Sequence, residues 1–331
     1  MRGHMDYAEI EKLTEQVKQQ NILITNIKQE LAKAVVGQEH LIDCIIISFI
    51  CGGHVLIEGL PGLAKTFTVR AFSKAIGSGF KRIQFTPDLL PADLIGTKMF
   101  NPGKMEFFTK KGPVFTNLLL ADEINRAPAK VQSALLQAME ERQVTIGDDT
   151  FNLETPFMVM ATENPIEQEG TYPLPEAQLD RFFMKVLVDY PTEEEERKII
   201  SSFGEINKAD VKQIVSPEDV SAVSALVEQI YIDEKLIDYI VSVVSYTRTP
   251  ANEDLKKYLE FGASPRASIS LMKAARCMAF MRGRGFVTPD DVKAVGYDVL
   301  RHRIILSYEA EADGKKPDDV IKAVFDSVQV P

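Results

Sequence analysis

A lysine and a threonine side by side, Lys65-Thr66, close the run EGLPGLAKTF at residues 58–67. A polyphosphate with its magnesium ion asks for three things: backbone N–H groups curled around the anion, a lysine on the outer phosphates, and a hydroxyl on the metal. Gly59 and Gly62 supply the tight positions, Lys65 the cation and Thr66 the hydroxyl. The candidate wall of such a site is Gly59, Pro61, Gly62, Leu63, Ala64, Lys65, Thr66 and Phe67. One residue departs from the pattern G-x-x-x-x-G-K-[ST], because Ala64 stands where it has its second glycine. The substitution is tolerable if φ of Ala64 is negative, since a methyl group strains a left-handed backbone.

Two more stretches carry matching chemistry. LLLADE, 118–123, is an apolar run ending in adjacent carboxylates. Asp122 would complete the Mg²⁺ shell beside Thr66, and Glu123 would orient and polarise an attacking water. FMVMATENP, 157–165, ends an apolar run on Asn164, whose amide can hold that water against the γ-phosphate. An asparagine before proline is also a common turn residue, so Asn164 alone decides nothing.

These groups act together only if parallel strands bring them to one edge. Five short apolar runs recur: HVLIEG (54–59), KRIQFT (81–86), NLLLADE (117–123), FMVMATEN (157–164) and RFFMKVLV (181–188). They lack clean polar alternation, as expected of strands covered on both faces. Helical patterns at 65–76 and 128–142 separate several of them, which argues a doubly wound α/β domain. The phosphates would then meet the N-terminus of the helix beginning at Lys65 and its partial positive charge. TKMFNPGKMEFFTKKG (97–112) and RQVTIGDDTFNLETP (142–156) break the rhythm with turn residues and read as inserted β-hairpins.

Residues 6–34 carry apolar positions at helical spacing, and 38–51 is apolar nearly all round. After Tyr190-Pro191 the pattern is almost entirely helical, with Pro217 and Pro289 at first helical positions. The expected division is a helical leader 1–29, an α/β core 30–190 and an all-helical domain 191–331. Met1–His4 lack the apolar core of a signal peptide and are compatible with an expression scar.

Composition sets limits. The 331 residues are 45% hydrophobic and 26% charged, with net charge −10, which disfavours a partner held through phosphate backbone. Cys44, Cys51 and Cys277 are odd in number and unpaired in spacing, and the four histidines lack metal-ligand spacing. A reduced, cytoplasmic home fits. The apolar run 41–57 is interrupted at Asp43 and Gly52-Gly53, short of the roughly 20 residues of a bilayer span.

GLPGLAKT, LLLADEINRAP, ATENP, LPEAQLDRF and SPRA, in that order, resemble the MoxR family of AAA+ ATPases over about 30–331. Alanine at the last loop glycine also occurs in that group. The resemblance implies a P-loop NTPase αβα sandwich with a five-stranded parallel sheet, followed by a helical lid. It also implies two insertions, one within the second helix, and a ring, usually of six subunits, with ATP and Mg²⁺ between neighbours. Lys65 and Thr66 match Walker A, Asp122 and Glu123 Walker B, and Asn164 sensor 1. Arg181 in LDRF matches the arginine finger, with Arg126 in reserve, and Arg266 in SPRA matches sensor 2. Val36, Gly37 and Gln38, in VVGQEH, match the segment against the adenine. A guanidinium delivered in trans is worth about 10³–10⁵ in rate.

The purpose of the cycle is less legible. The family implies a chaperone-like remodeller or maturation factor, metal or cofactor insertion among its tasks, often partnered by von Willebrand factor A domain proteins. The alternatives are a nucleic-acid motor of the related helix-2-insert group, a magnesium-chelatase-like subunit, and a nucleotide-gated scaffold. Glu123, Asn164 and Arg181 together argue for turnover. The 97–112 hairpin interleaves Lys98, Lys104, Lys110 and Lys111 with Phe100, Phe107 and Phe108. It admits two readings: a substrate grip, or solvated lysines with phenylalanines packed on the sheet or a neighbouring subunit.

Overall fold

The computed structural model describes residues 6–59, 65–165, 171–206 and 210–331. They form two compact units. The sheet unit comprises Asn26–Phe182 and Val186–Pro217; the helical unit comprises the chain up to Thr25, Phe183–Lys185 and Glu218–Pro331.

The chain runs α1 (Tyr7–Leu31), α2 (Glu39–Ile50), β1 (Val55–Gly59), α3 (Lys65–Ala75), β2 (Phe80–Gln84), α4 (Pro91–Ile95), β3 (Gly96–Asn101) and β4 (Glu106–Lys111). It continues through β5 (Leu118–Asp122), α5 (Ala129–Glu141), β6 (Gln143–Ile146), β7 (Asp149–Asn152), β8 (Met158–Glu163), α6 (Glu176–Leu179), β9 (Met184–Val188) and α7 (Glu193–Ile206). The expected five-stranded sheet has the order β2-β5-β8-β1-β9, and β2, β5, β8 and β1 run parallel to their neighbours.

Double coverage holds only for the inner strands. Leu118–Ala121 and Met158–Ala161 are wholly buried, because helices shield both faces there. On β2, at the sheet edge, Lys81, Arg82 and Gln84 are exposed, so the expectation of a buried strand fails at that position. An edge strand has one neighbour and tolerates charge.

Both insertions are antiparallel hairpins, β3 with β4 and β6 with β7. The first does not interrupt a full helix. It starts at Gly96, directly after the five-residue α4, and among the described residues no helix resumes before β5. Gly96 has φ 106°, and a Cβ there would lie 2.2 Å from the Lys110 carbonyl oxygen, so a side chain cannot occupy this corner.

The units divide elsewhere than at 190–191. Residues up to Pro217 stay with the sheet: the Lys212 N–H donates to Glu30 Oε1 (3.0 Å) and the Ile214 N–H to the Ala75 carbonyl (2.7 Å). Most of α1 belongs with the helical unit. There Asn21 Nδ2 donates to the carbonyls of Phe280 (2.6 Å) and Met281 (2.8 Å), satisfying acceptors that a helix C-terminus leaves open.

The helical unit adds α8 (Pro217–Val227), α9 (Glu234–Tyr246), α10 (Glu253–Tyr258), β10 (Leu259–Phe261), α11 (Pro265–Met281) and α12 (Pro289–Leu300). It closes with β11 (Ile305–Leu306), α13 (Tyr308–Ala312) and α14 (Pro317–Ser327). This is the expected helical domain, with one short antiparallel ribbon, β10–β11, added to it. Fully buried Asp291 pairs with Arg282 (2.8 Å) and Arg284 (2.6 Å), so its charge is compensated.

Candidate functional site

Parallel strands present their C-terminal ends at one edge, where α/β sheets hold ligands. Gln84 pairs with Asp122, and Glu58 with Glu163, so β2, β5, β8 and β1 end level. Asp122, Glu123 and Asn164 stand at or just past those ends, with Lys65 in the field of the acids, whereas Arg181 lies elsewhere, against the C-terminal end of α5.

Lys65 opens α3, and its Nζ donates to the Gly59 carbonyl at 2.6 Å. Partial burial lowers its pKa, against the opposing pull of Asp122, Glu123 and Glu58. The ammonium thus stands in the field of the acid pair. Thr66 and Phe67 follow, half-buried, in the first turn of α3. Pro61, Gly62, Leu63 and Ala64 lie outside the described residues, and with them the φ of Ala64.

Asp122 and Glu123 are held by different groups on the same side. Asp122 Oδ1 accepts from the Thr162 hydroxyl (2.6 Å), and Oδ2 accepts from Arg82 Nη2 (2.6 Å) and Nε (3.1 Å). Glu123 Oε2 accepts from Gln84 Nε2 (2.7 Å) and Arg126 Nη1 (3.1 Å). Successive strand residues normally point to opposite faces. Glu123 breaks that alternation with a left-handed backbone, φ 55° and ψ 53°, which lets Arg82 and Gln84 of one strand reach both carboxylates. Such a conformation costs about 1–2 kcal/mol in a residue with a Cβ. The Glu123 N–H is fixed there by donating to Thr162 Oγ1 at 2.9 Å.

Asn164 follows β8, one residue past the Glu163–Glu58 pairing, and is buried. Arg181 lies just after α6, where its Nη2 pairs with Glu140 Oε2 of α5 at 3.1 Å. Arg126, the reserve arginine, pairs with Glu123 of its own chain. Arg266 is exposed in the first turn of α11, in the helical unit, with its N–H donating to Ser264 Oγ at 3.2 Å. Val36, Gly37 and Gln38 are half-buried, and the last two have φ of 70° and 62°. A Cβ on Gly37 would lie 2.5 Å from Glu195 Oε1, so this segment runs against the first turn of α7. Thr192 N–H (2.8 Å) and hydroxyl (3.0 Å) donate to that carboxylate and hold its pKa below the usual range.

Arg82, Gln84 and Thr162 escaped the sequence reading. Arg82 and Gln84 stand two apart in KRIQFT, polar residues sharing one strand face, and that was their signal. Thr162, two before Asn164 inside an apolar run, gave none.

The first hairpin departs from the reading that packs its phenylalanines on the sheet. Phe107 is 71% exposed and Phe100 46%, and their rings lie 5.2 Å apart, on each other. Lys98 pairs with Asp149 of the second hairpin (3.1 Å), and the Lys111 ammonium sits 4.8 Å from the Phe115 ring centre.

ATP would meet Lys65 at a helix N-terminus. Thr66 and Asp122 offer a hydroxyl and a carboxylate, hard oxygen donors that suit Mg²⁺, an ion that keeps several of its waters. Among the described residues no helix is long and apolar enough to cross a membrane.

A strand–lysine-helix–acid-strand sheet joined to a helical unit defines an AAA-type ATPase with its lid. Residues 54–184 match the model of the "ATPase family associated with various cellular activities (AAA)", and 252–324 match an AAA lid domain. The chain is 50% identical to the chaperone MoxR1 of Mycobacterium tuberculosis, over 91% of this chain and 81% of that protein. It is 34% identical to the protein MoxR of Paracoccus denitrificans, over 90% and 93% respectively. A crystal structure of a candidate ATPase from Cytophaga hutchinsonii superposes with a TM-score of 0.89 at 46% identity, covering 99% of this chain and 100% of that one. The chain belongs to the MoxR family of AAA+ ATPases.

Proposed function

We propose that the chain hydrolyses ATP to ADP and phosphate with Mg²⁺ and uses the cycle to remodel or mature protein complexes. The observation that carries this reading is the Lys65 ammonium standing in the field of Asp122 and Glu123 at the end of β5. Lys65 binds the outer phosphates. Thr66 and Asp122 hold the metal, which neutralises charge on the phosphate oxygens. Glu123 draws a proton from water as its oxygen bonds to the γ-phosphorus and the bond to the β–γ bridging oxygen breaks. Asn164 holds that water in line. Val36, Gly37 and Gln38 bound the adenine, and Gly59–Phe67 serve the phosphates.

Arg181 serves as arginine finger in a ring of six copies, exchanging Glu140 for a neighbour's γ-phosphate, and Arg266 adds a second guanidinium from the lid. The client is a polypeptide, in this reading with a von Willebrand factor A domain protein as partner, in the cytoplasm. The chaperone name of the M. tuberculosis relative supports this over the alternatives. A magnesium-chelatase subunit homologue from Methanocaldococcus jannaschii is only 24% identical.

Two variants test the site. Lys65→Ala should lose nucleotide affinity. Glu123→Gln should bind ATP and slow hydrolysis by about 10²–10⁴. Turnover that survives both changes refutes the assignment, and a trapped Glu123→Gln that stays monomeric in ATP refutes the ring.

A further inference from the structure

Thr162 is 1% exposed and stands on β8 two residues before Asn164. A hydroxyl has one hydrogen to give and lone pairs to receive. The Glu123 backbone N–H can only donate, so it takes a lone pair at 2.9 Å. The carboxylate of Asp122, already paired with Arg82, accepts the hydrogen at 2.6 Å. The rotor has one solution, and both bonds end on the acid pair. A single buried hydroxyl thus fixes the side chain of the first acid and the left-handed backbone of the second.

We propose that Thr162 is the positioning residue of the acid pair, tying it to the strand that carries Asn164 so that metal-side and water-side groups move as one body. This rests on the reading of Asp122 and Glu123 as the metal and water groups of ATP hydrolysis. A bound γ-phosphate that shifts Asn164 then shifts both acids through two hydrogen bonds. Arg82 closes the other side, on Asp122 Oδ2.

Thr162→Val keeps the branched shape and removes both bonds; Thr162→Ser keeps the hydroxyl. In the full chain, binding of a fluorescent ATP analogue is titrated with Mg²⁺, alongside kcat and KM. Partners one shell out from a metal commonly change affinity or activity about 10–100-fold. The valine variant should raise the Mg²⁺ midpoint and lower kcat about tenfold or more, leave KM for ATP within about threefold, and serine should restore both. A folded Thr162→Val with the original midpoint and kcat overturns the proposal. Glu123→Gln is assayed in parallel: if it still turns over, the underlying site reading has failed, whatever Thr162→Val does. Should the valine variant not fold, amide exchange of Glu123 in the unmodified protein decides. Strong protection is expected, and exchange at the rate of an open loop overturns the proposal.

Discussion

Lowering the pH from 7 toward 5 should weaken the sheet unit through His54, at the entrance to β1. Its ring is buried between two fixed partners: Nδ1 accepts from the Val159 N–H at 2.9 Å, and Nε2 donates to the Met139 carbonyl at 3.2 Å. An N–H aimed at Nδ1 leaves no room for a second ring proton, so the neutral tautomer is built in. Burial first, then the Arg142 charge, lowers its pKa from 6.5 to about 4, against the pull of the Met139 carbonyl. The unfolded chain therefore takes up a proton near pH 6.5 and the folded one only near 4. Between those values the unfolded state binds more protons, so stability falls with falling pH. Above pH 7 the group contributes no pH dependence. At pH 5 the loss is about 2 kcal/mol, rising toward about 3 kcal/mol below pH 4. Urea unfolding followed by circular dichroism, from pH 7.5 to 5, measures it. His54→Gln retains a donor and an acceptor without titrating, so its stability should fall less over that range by about 2 kcal/mol. Parallel curves for the two proteins would refute the reasoning.

Gly37→Ala should destabilise the sheet unit by about 1–2 kcal/mol from the left-handed backbone, and more if Glu195 is forced off Thr192; thermal unfolding reads it. Asp291→Asn strands Arg282 and Arg284 beside a neutral amide and should cost the helical unit about 3–5 kcal/mol, measured by denaturant titration. Phe107→Ala should leave stability within about 0.5 kcal/mol, since the ring is exposed, so any loss of client-stimulated ATPase reports contact with the client. Arg181→Ala should bind ATP with ordinary affinity yet hydrolyse it about 10³-fold more slowly, and mixing it with Lys65→Ala subunits should recover part of the rate if the arginine acts in trans.

What could be read from the chain was whatever local order carries. The apolar runs at 54–59, 117–123 and 157–164 announced β1, β5 and β8, because burial on both faces writes itself as continuous hydrophobicity. The same rule half fails on edge strand β2, since an edge is a property of the sheet, not of KRIQFT. The division at Tyr190-Pro191 followed a change of pattern, whereas the division in space follows contacts such as Lys212 with Glu30 and Asn21 with the end of α11, which no local pattern announces.

Alone, the sequence determined the chemistry available to this ATPase: an ammonium, a hydroxyl, two adjacent carboxylates and an amide, each at the end of an apolar run or the start of a helix. Those identities and local periods are written in neighbouring residues. Only the tertiary structure decided which groups restrain which. Arg82 meets Asp122 and Thr162 meets both acids because β2, β5 and β8 lie side by side in register, though some 40 positions separate them along the chain. Strand order and register are settled by packing the whole sheet, and a hydrogen bond across it leaves no trace in the residues next door.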